Sequence, residues 1–381
     1  MFGHHNKRRS PRVMFGITVL IILNIVAASV ITVGCSGSAG PPAASGSGSP
    51  QTPPAETPAG GDNGGAQDAE LFTGTAETEY SDGTYAGEFV DGLRWGHGVM
   101  TYNNGNLYEG GWVDGERSGT GTLTWRDGNS YTGDWLNNAR TGSGTFTWAS
   151  GAVYTGSWVD NDRSGYGVMT QTNGDVYEGY WKNDQRSGIG AVTWESGDVY
   201  DGAWENDSRT GIGKYTWTNG SVYEGGWNNN ARSGYGVMTQ PNGNKYEGEW
   251  ENGEKSGAGT FAWENGDVYT GQWERDMRCG YGTMVFSSGD IYEGEWDDGI
   301  ISGVGTYSWT NGDVYTGQWE NEVRSGSGTN TWANGDVYTG GYSENLRSGY
   351  GVFTPVVGST LEGIWADGVF IGPEAELPEE D

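Results

Sequence analysis

A basic residue recurs every 23 residues along most of the chain, and a regular row of cations could bind an anionic polymer or lipid headgroups. The members of this candidate basic edge are Arg117, Arg140, Arg163, Arg186, Arg209 and Arg232. The competing interpretation is structural: each arginine closes its hairpin by pairing with turn acids such as Asp160 or Asp162, or stacks on a tryptophan. The repeated region carries 38 acidic and 16 basic residues, so its field opposes anionic lipid and favours the structural interpretation.

Tryptophan shows the same 23-residue spacing, and exposed aromatic rings at regular intervals could stack on sugar rings. The candidate interaction face consists of Trp112, Trp135, Trp158, Trp181, Trp204, Trp227, Trp250, Trp273, Trp296 and Trp319. Short, aromatic, glycine-rich hairpins also occur in repeats that bind cell-wall polysaccharide. The alternative is that these rings are the only core that a thin sheet has. A single layer cannot hide both sides of its rings, so both roles stay open at this point.

Few residues are suited to catalysis or to metal binding. The histidines are His4, His5 and His97, so no nucleophile can be matched with a histidine base. Aspartates that recur once per repeat, such as Asp175 and Asp198, offer one carboxylate at a time, whereas Ca²⁺ takes six to eight oxygens. Turn formation accounts for these aspartates. We therefore expect no enzyme activity, no metal and no cofactor.

The composition excludes several classes of protein. Glycine supplies 71 of the 381 residues, and each glycine costs about 1 kcal/mol in a helix, so a helical protein is very unfavourable. The aromatic content of 13% argues against a disordered chain. Two cysteines, Cys35 and Cys279, cannot build a disulfide scaffold. The formal net charge of −30 disfavours a nucleic-acid partner.

A 23-residue unit organises all these positions. The pattern Tyr-x-Gly-x-Trp starts at Tyr85 and returns every 23 residues as far as Tyr338, and a thirteenth copy starts at Leu361. Numbered from its tyrosine, the unit has glycine at positions 3, 12, 14 and 21 and usually an aromatic residue at position 18. Aromatic residues and glycine alternate with mostly polar residues along positions 1–5, and a similar alternation occurs along positions 12–18. Each of these two segments is therefore predicted to be a strand. Pairs such as Asn252-Gly253 predict a tight turn between them.

Each unit is therefore predicted to be one β-hairpin, and the array to be an all-β, elongated, single-sheet meander. Glycine is expected wherever an aromatic ring lies across a neighbouring strand, because a side chain beneath the ring would clash with it. The tryptophans at positions 5 and 18 are expected to form ladders of contacts across the strands. Strands about 4.8 Å apart would give a rod roughly 115–125 Å long.

The unit resembles the MORN repeat. The copy from Tyr246 to Phe261 reads Tyr-Glu-Gly-Glu-Trp-Glu-Asn-Gly-Glu-Lys-Ser-Gly-Ala-Gly-Thr-Phe, and such copies stay in phase through 85–372. The family often has histidine before the position-12 glycine, where this chain usually has serine or threonine. The resemblance implies a sheet of hairpins and a role in scaffolds or membrane-apposed proteins. Some lipid kinases also carry the repeat, but no stretch of this sequence is left to house their catalytic domain.

The N-terminal part is predicted to attach the protein to a membrane. The uncharged apolar run over 13–34 is about as long as the roughly 20 residues of a bilayer-spanning helix. Residues 1–12 are basic and no further basic residue follows until Arg94, which predicts a cytoplasmic N-terminus and an extracytoplasmic array. Cys35 follows a glycine at the end of the run, which resembles the lipobox of bacterial lipoproteins. A transmembrane anchor, a lipoprotein signal with lipidation at Cys35, and a cleaved signal peptide are the alternatives.

The regions around the array have their own compositions. Residues 35–70 form a low-complexity linker rich in Gly, Pro and Ser, expected to be disordered because it has almost no apolar residue to bury. Residues 71–84 are predicted to cap one edge of the array, which spans 85–372 as twelve full units and a half unit. The acidic tail, 373–381, is expected to blunt the other edge against pairing with another sheet.

These features predict a non-catalytic, membrane-tethered scaffold that mediates protein–protein interaction outside the cytoplasm, with many similar docking places along its sheet. The main alternative is a module that binds cell-surface polysaccharide through its Tyr and Trp ladders. A weaker alternative is contact with phospholipid headgroups through the arginine row. The expected partners are thus unidentified proteins or a surface glycan, together with the membrane through 13–34.

Overall fold

A computed structural model describes residues 72–373, and all the regular structure in that range is β-strand. The strands form one antiparallel sheet of 27 members. The predicted anchor over 13–34, Cys35 and the linker lie outside the described residues, as does the tail after 373. Between 72 and 373 no helix is long and apolar enough to cross a membrane.

The strands follow one another in sequence order. They are β1 (Gly74–Tyr80), β2 (Gly83–Val90), β3 (Leu93–Tyr102), β4 (Leu107–Val113), β5 (Glu116–Thr124), β6 (Ser130–Leu136), β7 (Ala139–Thr147), β8 (Val153–Val159), β9 (Asp162–Thr170), β10 (Val176–Lys182), β11 (Gln185–Thr193), β12 (Val199–Glu205), β13 (Ser208–Thr216), β14 (Val222–Asn228), β15 (Ala231–Thr239), β16 (Lys245–Glu251), β17 (Glu254–Ala262), β18 (Val268–Glu274), β19 (Met277–Val285), β20 (Ile291–Asp297), β21 (Ile300–Ser308), β22 (Val314–Glu320), β23 (Val323–Thr331), β24 (Val337–Ser343), β25 (Leu346–Thr354), β26 (Leu361–Ala366) and β27 (Val369–Gly372). Each strand between β1 and β27 pairs with the one before it and the one after it. This confirms the predicted all-β meander of hairpin repeats.

The first turn of each unit is a two-residue turn. In the hairpin of β4 and β5, Asp114 and Gly115 both have positive φ, at 49° and 81°. This left-handed pair is typical of the type I′ turn, whose twist matches that of the flanking strands. Asparagine and aspartate tolerate this conformation, which explains why they fill the turn in most units.

The glycine at position 12 forms a β-bulge. Trp112 lies opposite Arg117, whereas Gly110 lies opposite Gly121, so β5 contains two extra residues between these pairs. Gly119 lies within this bulge and has a φ of 80°. A left-handed residue in a bulge favours glycine, which gives the invariant position-12 glycine a physical reason.

The core lies on one side of the sheet, called here the core face, and consists of a ladder in which tyrosines and tryptophans alternate. The ring of Tyr131 lies 5.1 Å from Trp135 in its own unit and 5.3 Å from Trp158 in the next, both edge to face. A second set of contacts joins position 18 to position 16, as between Trp148 and Phe146 at 4.6 Å. The predicted ladders are present, but tyrosine rather than the position-18 tryptophan alternates with the position-5 tryptophan.

Glycines at positions 3 and 14 make room for the tyrosine ring. A Cβ atom on Gly144 would lie 2.2 Å from the Tyr131 hydroxyl, and a Cβ atom on Gly133 would lie 2.6 Å from it. The hydroxyl reaches past both glycines and donates to the carbonyl of Asp134 at 3.1 Å. The expected role of glycine beneath an aromatic ring is therefore confirmed, and the ring is the tyrosine.

The two edge strands differ in length. β1 pairs with β2 along its whole length, from Gly74 opposite Phe89 to Tyr80 opposite Gly83. β27 has only four residues and pairs with β26. A very short edge strand offers few free backbone groups to another sheet, which limits edge-to-edge association.

Candidate functional site

The predicted tryptophan face lies in the core. The ten side chains are 1–7% exposed: Trp112, Trp135, Trp158, Trp181, Trp204, Trp227, Trp250, Trp273, Trp296 and Trp319. Most of the indole nitrogens also donate hydrogen bonds. Trp158 Nε1, for example, donates to the carbonyl of Gly144 at 3.2 Å. In this arrangement the rings pack against tyrosines of the same sheet and present no flat surface to a ligand.

The arginine row lies on the core face, and each guanidinium stacks on the tryptophan of the following unit. Arg163 Cζ lies 4.2 Å from the ring centre of Trp181, and Arg163 Nε donates to the Asp184 carboxylate at 2.9 Å. Burial lowers the pKa of Arg163, while the hydrogen bond that it donates to Asp184 acts in the opposite direction. Stacking on tryptophan is thus confirmed. The acid partner belongs to the turn of the next hairpin, and is neither Asp160 nor Asp162.

The other arginines of the candidate edge have the same geometry. Their guanidinium carbons lie 4.1–4.8 Å from the ring centre of the next tryptophan in Arg117, Arg140, Arg186, Arg209 and Arg232. Each also donates from a terminal nitrogen to a backbone carbonyl in the next turn. These six cations therefore join consecutive units to one another, and they are buried or half-buried.

Lysine replaces arginine in one unit. Lys255 Nζ lies 4.6 Å from the ring centre of Trp273 and 3.7 Å from a carboxylate oxygen of Asp276. Burial lowers the pKa of the Lys255 ammonium group, and Asp276 partly offsets this effect. An open cavity of about 260 Å³ lies here, lined by Lys255, Trp273 and Phe261 among others. The shorter head group leaves this junction less well filled than its neighbours.

We expect Lys255→Arg to raise the free energy of unfolding by about 0.5–1.5 kcal/mol, the usual net value of an added hydrogen bond. The guanidinium would reach the backbone carbonyl of Asp276, as Arg163 reaches that of Asp184 at 2.9 Å. Urea unfolding of the full chain measures the change. Lys182→Arg, at an exposed position, is the matched control with no expected effect. Equal shifts in both variants would contradict the explanation.

The recurrent aspartates at position 22 serve the second turn of the unit. Asp175 Oδ1 accepts the backbone N–H of Glu195 at 2.8 Å, and Asp267 Oδ1 accepts that of Ser287 at 2.7 Å. The bond from the Ser287 N–H lowers the pKa of Asp267. Among residues 72–373, no group of three or more His, Cys, Asp or Glu side chains is placed to hold a metal ion.

The opposite side of the sheet, called here the open face, exposes apolar side chains that the sequence analysis did not single out. At position 13 of four consecutive units, Tyr166, Ile189, Ile212 and Tyr235 are 48%, 58%, 70% and 59% exposed, and Tyr180 at position 4 is 51% exposed. These five residues are called the open-face row. Later position-13 members are Tyr281, Val304 and Tyr350. The sequence does contain an indication of this exposure: position 13 lies between two glycines that face the core, so its side chain points to the other face.

The open face has a regular pattern of side-chain pairs. Tyr166 Oη donates to Glu178 Oε1 at 2.6 Å, across two neighbouring strands. Where position 13 holds a small residue, position 2 of the next unit holds threonine, and hydroxyl pairs such as Thr122 and Thr132 lie 3.0 Å apart. The open face therefore has stretches of two main kinds: tyrosine or isoleucine next to acids, and small residues next to threonine pairs. Val304 is an exception, since it lies next to the pair of Thr306 and Thr316.

One antiparallel sheet of consecutive 23-residue hairpins, joined by ring ladders and stacked arginines, defines a β-repeat protein. The family model of the MORN repeat matches twelve consecutive segments between 85 and 356. The chain therefore belongs to the MORN-repeat family, as its resemblance predicted. The partial copy at Leu361 lies beyond the matched segments and forms β26 and β27.

Solved structures show a partial likeness at low identity. The wild-type TCP10 domain of Danio rerio CPAP is 12% identical with a TM-score of 0.31, covering 52% of this chain and 93% of that one. The Drosophila melanogaster SAS-4 TCP domain, in complex with a proline-rich motif of Ana2, is 14% identical with a TM-score of 0.27, covering 49% and 96%. Such low scores carry no functional information. No curated protein matches the chain significantly.

Proposed function

We propose that this protein is a non-catalytic MORN-repeat scaffold, tethered to a membrane, that mediates protein–protein interaction outside the cytoplasm. One observation carries the proposal: the open face presents large apolar side chains in a regular row, with exposed fractions of 48–70%. Contiguous exposed apolar surface on a soluble domain is typical of an interaction site.

The two faces of the sheet have separate roles in this proposal. The core face buries the tyrosine and tryptophan ladder, so it stabilises the sheet without help from a second layer. The open face is then available for binding, and its chemistry repeats from unit to unit. Repeated docking places on one sheet favour multivalent binding, in which several weak contacts combine.

The residues of the open-face row favour a protein over a polysaccharide. The tryptophans expected to stack on sugars are in the core. Ile189 and Ile212, which lie near the middle of the row and are 58% and 70% exposed, offer neither a flat ring nor a hydrogen bond to a sugar. Phospholipid is disfavoured too, because the arginines of the candidate edge are stacked on the core face.

Membrane tethering rests on the sequence, on the apolar run over 13–34 and the basic residues of 1–12. We expect the full chain to sediment with membranes, to resist extraction by high salt and to be released by detergent. Protease added to intact cells should digest the array. Recovery in the soluble fraction, or full protection from protease, would contradict the tethered and extracytoplasmic parts respectively. Cys35→Ser separates the two tethers, since it would abolish the incorporation of labelled fatty acid into a lipoprotein, whereas a transmembrane protein would carry no such label with or without the substitution.

The scaffold role itself is tested by cross-linking the full chain in intact cells. We expect discrete protein adducts that persist after washing with high salt. Cross-linking to polysaccharide alone, with loss of binding when the envelope glycan is digested, would instead support the module that binds cell-surface polysaccharide.

A further inference from the structure

We infer that the open-face row docks a basic segment of a partner protein in the polyproline II conformation, with a bulky apolar side chain at every third residue. This inference rests on the proposed function, because it names the chemistry of the partner that the scaffold would bind. Its evidence is independent of the membrane tether and lies in the side chains of β9 to β15.

The row is continuous across seven strands. Tyr166 of β9 lies directly opposite Tyr180 of β10, and Ile189 of β11 lies opposite Ala203 of β12. Ile212 of β13 lies opposite Gly226 of β14. Because alanine and glycine are the partners of the two isoleucines, both isoleucine side chains stand above the sheet. Six strand spacings of about 4.8 Å give the row a length of about 29 Å.

Acidic side chains line one side of the row. Position 2 of the units that follow it holds Glu178, Asp201, Glu224 and Glu247, so there is one carboxylate per repeat. Elsewhere on the open face, where position 13 holds a small residue, position 2 of the next unit is threonine, as in the pair of Thr260 and Thr270. Large apolar side chains and carboxylates therefore occur together on this sheet.

Internal pairing does not explain all of these acids. Tyr166 and Tyr235 donate hydroxyl hydrogen bonds to Glu178 and Glu247, but isoleucine has no donor. Asp201 and Glu224 are nevertheless the diagonal neighbours of the two isoleucines, since they lie two residues along the strand from the isoleucine partners Ala203 and Gly226. Both acids are exposed. An exposed isoleucine beside an exposed carboxylate, repeated in register, suits a ligand that is both apolar and basic.

The bases nearby only partly neutralise this strip. Lys245 forms an ion pair with Glu247 at 2.7 Å, and Lys214 lies directly across the strands from Asp201 and Glu224. Four carboxylates thus face two lysines. The whole chain carries a net charge of −30, so a second copy would be repelled and a basic segment attracted. Charge complementarity therefore selects a basic partner over self-association and over anionic lipid.

The repeat spacing selects the conformation of the partner. Successive position-13 side chains lie two strands apart, or about 9.6 Å. A segment in the polyproline II conformation has three residues per turn and rises about 3.1 Å per residue, so every third side chain lies on one side of it, about 9.3 Å apart. A ten-residue segment in this conformation, with apolar residues at its first, fourth, seventh and tenth positions, would therefore meet Tyr166, Ile189, Ile212 and Tyr235 in turn.

A fluorescent ten-residue peptide tests the inference on the purified full chain. Its sequence is three consecutive Leu-Lys-Ser triplets followed by leucine, and anisotropy measures its binding at low salt. We expect saturable binding that weakens as salt is added. A peptide of the same composition with its leucines grouped at one end, and a peptide with glutamate in place of lysine, should each bind at least about tenfold more weakly.

Variants locate the site. Ile189→Ser with Ile212→Ser should weaken binding about tenfold or more, because further burial of the two isoleucine side chains together contributes at least that factor. Asp201→Asn with Glu224→Gln should weaken it several-fold and flatten the dependence on salt. Val304→Ser is the matched control: Val304 is 53% exposed at position 13, but its neighbour at position 2 is Thr316, so no effect is expected. Circular dichroism checks that each variant is folded.

The inference is overturned if the peptide does not bind, or if the grouped peptide binds equally well. It is also overturned if Ile189→Ser with Ile212→Ser leaves the affinity unchanged. The proposed function fails separately, when no protein adducts form in intact cells. If adducts form but are the same in wild type and in the double serine variant, the scaffold role is supported and docking on the open-face row is contradicted.

Discussion

Replacing Trp158 with alanine is expected to lower the free energy of unfolding by about 3–5 kcal/mol, as for a large aromatic side chain in a tight core. Trp158 is 1% exposed, and its ring contacts those of Tyr131 and Tyr154 at 5.3 Å and 5.2 Å. The substitution would also remove the surface on which Arg140 stacks at 4.8 Å and the indole bond to Gly144. Urea unfolding followed by circular dichroism measures the loss.

Trp95→Ala is the matched control within the same array. Trp95 is 37% exposed, so its truncation removes less buried surface and is expected to cost about 1–2 kcal/mol. Because each unit contacts mainly its neighbours, the Trp158 variant should lose structure first around β6 to β10. Hydrogen exchange resolves this. Equal losses from both substitutions, or uniform loss of protection along the array, would contradict the ladder as the source of stability.

Alkaline pH is expected to unfold the array abruptly. Burial raises the pKa of eleven position-1 tyrosines, to about 12 in Tyr85, Tyr223 and Tyr315. The unfolded pKa is about 10, so folding is unaffected below that value. Above it, the unfolded chain loses protons that the folded chain retains, and stability falls. The loss is about 1.4 kcal/mol per pH unit for each such tyrosine.

Eleven tyrosines acting together make the transition steep. We expect tyrosinate absorbance and the loss of circular dichroism to rise together within about one pH unit above 10 to 11. Substituting phenylalanine at Tyr131 should shift the midpoint upward, provided that the variant keeps its fold at neutral pH, because one fewer buried hydroxyl opposes the folded state. Ionisation of the buried tyrosines while the circular dichroism spectrum is unchanged would show that they are not held in the core.

Much of the fold follows from the sequence because the 23-residue period registers every strand with the next. The repeated glycines predict close approach beneath an aromatic ring, and the structure places Gly133 and Gly144 beneath Tyr131 because the antiparallel pair brings positions 3 and 14 together. The partner of Arg163 was not predictable in the same way. Asp184 is 21 residues away in the chain, and only the pairing across β9 and β10 brings its turn beside the guanidinium.

The exposed residues of the open face are not evident from the sequence for a different reason. A repeat is recognised by what its units share, and position 13 varies between units: it is isoleucine at Ile189 and Ile212 but serine at Ser143. Core positions are uniform because each ring must fit the same site in every unit. An outward position has no such constraint, so the residues best placed to bind a partner are those that the repeat pattern hides.

The register between units is the same at every junction, and this has a consequence for the history of the chain. Gly121 lies opposite Gly133, and seven units later Gly282 lies opposite Gly294 in the same way. A coding segment for 23 residues can therefore be duplicated or deleted in frame while every remaining junction keeps its partners. Each duplication lengthens the array by about 9.6 Å, so the length of the sheet can change only in steps of one whole repeat.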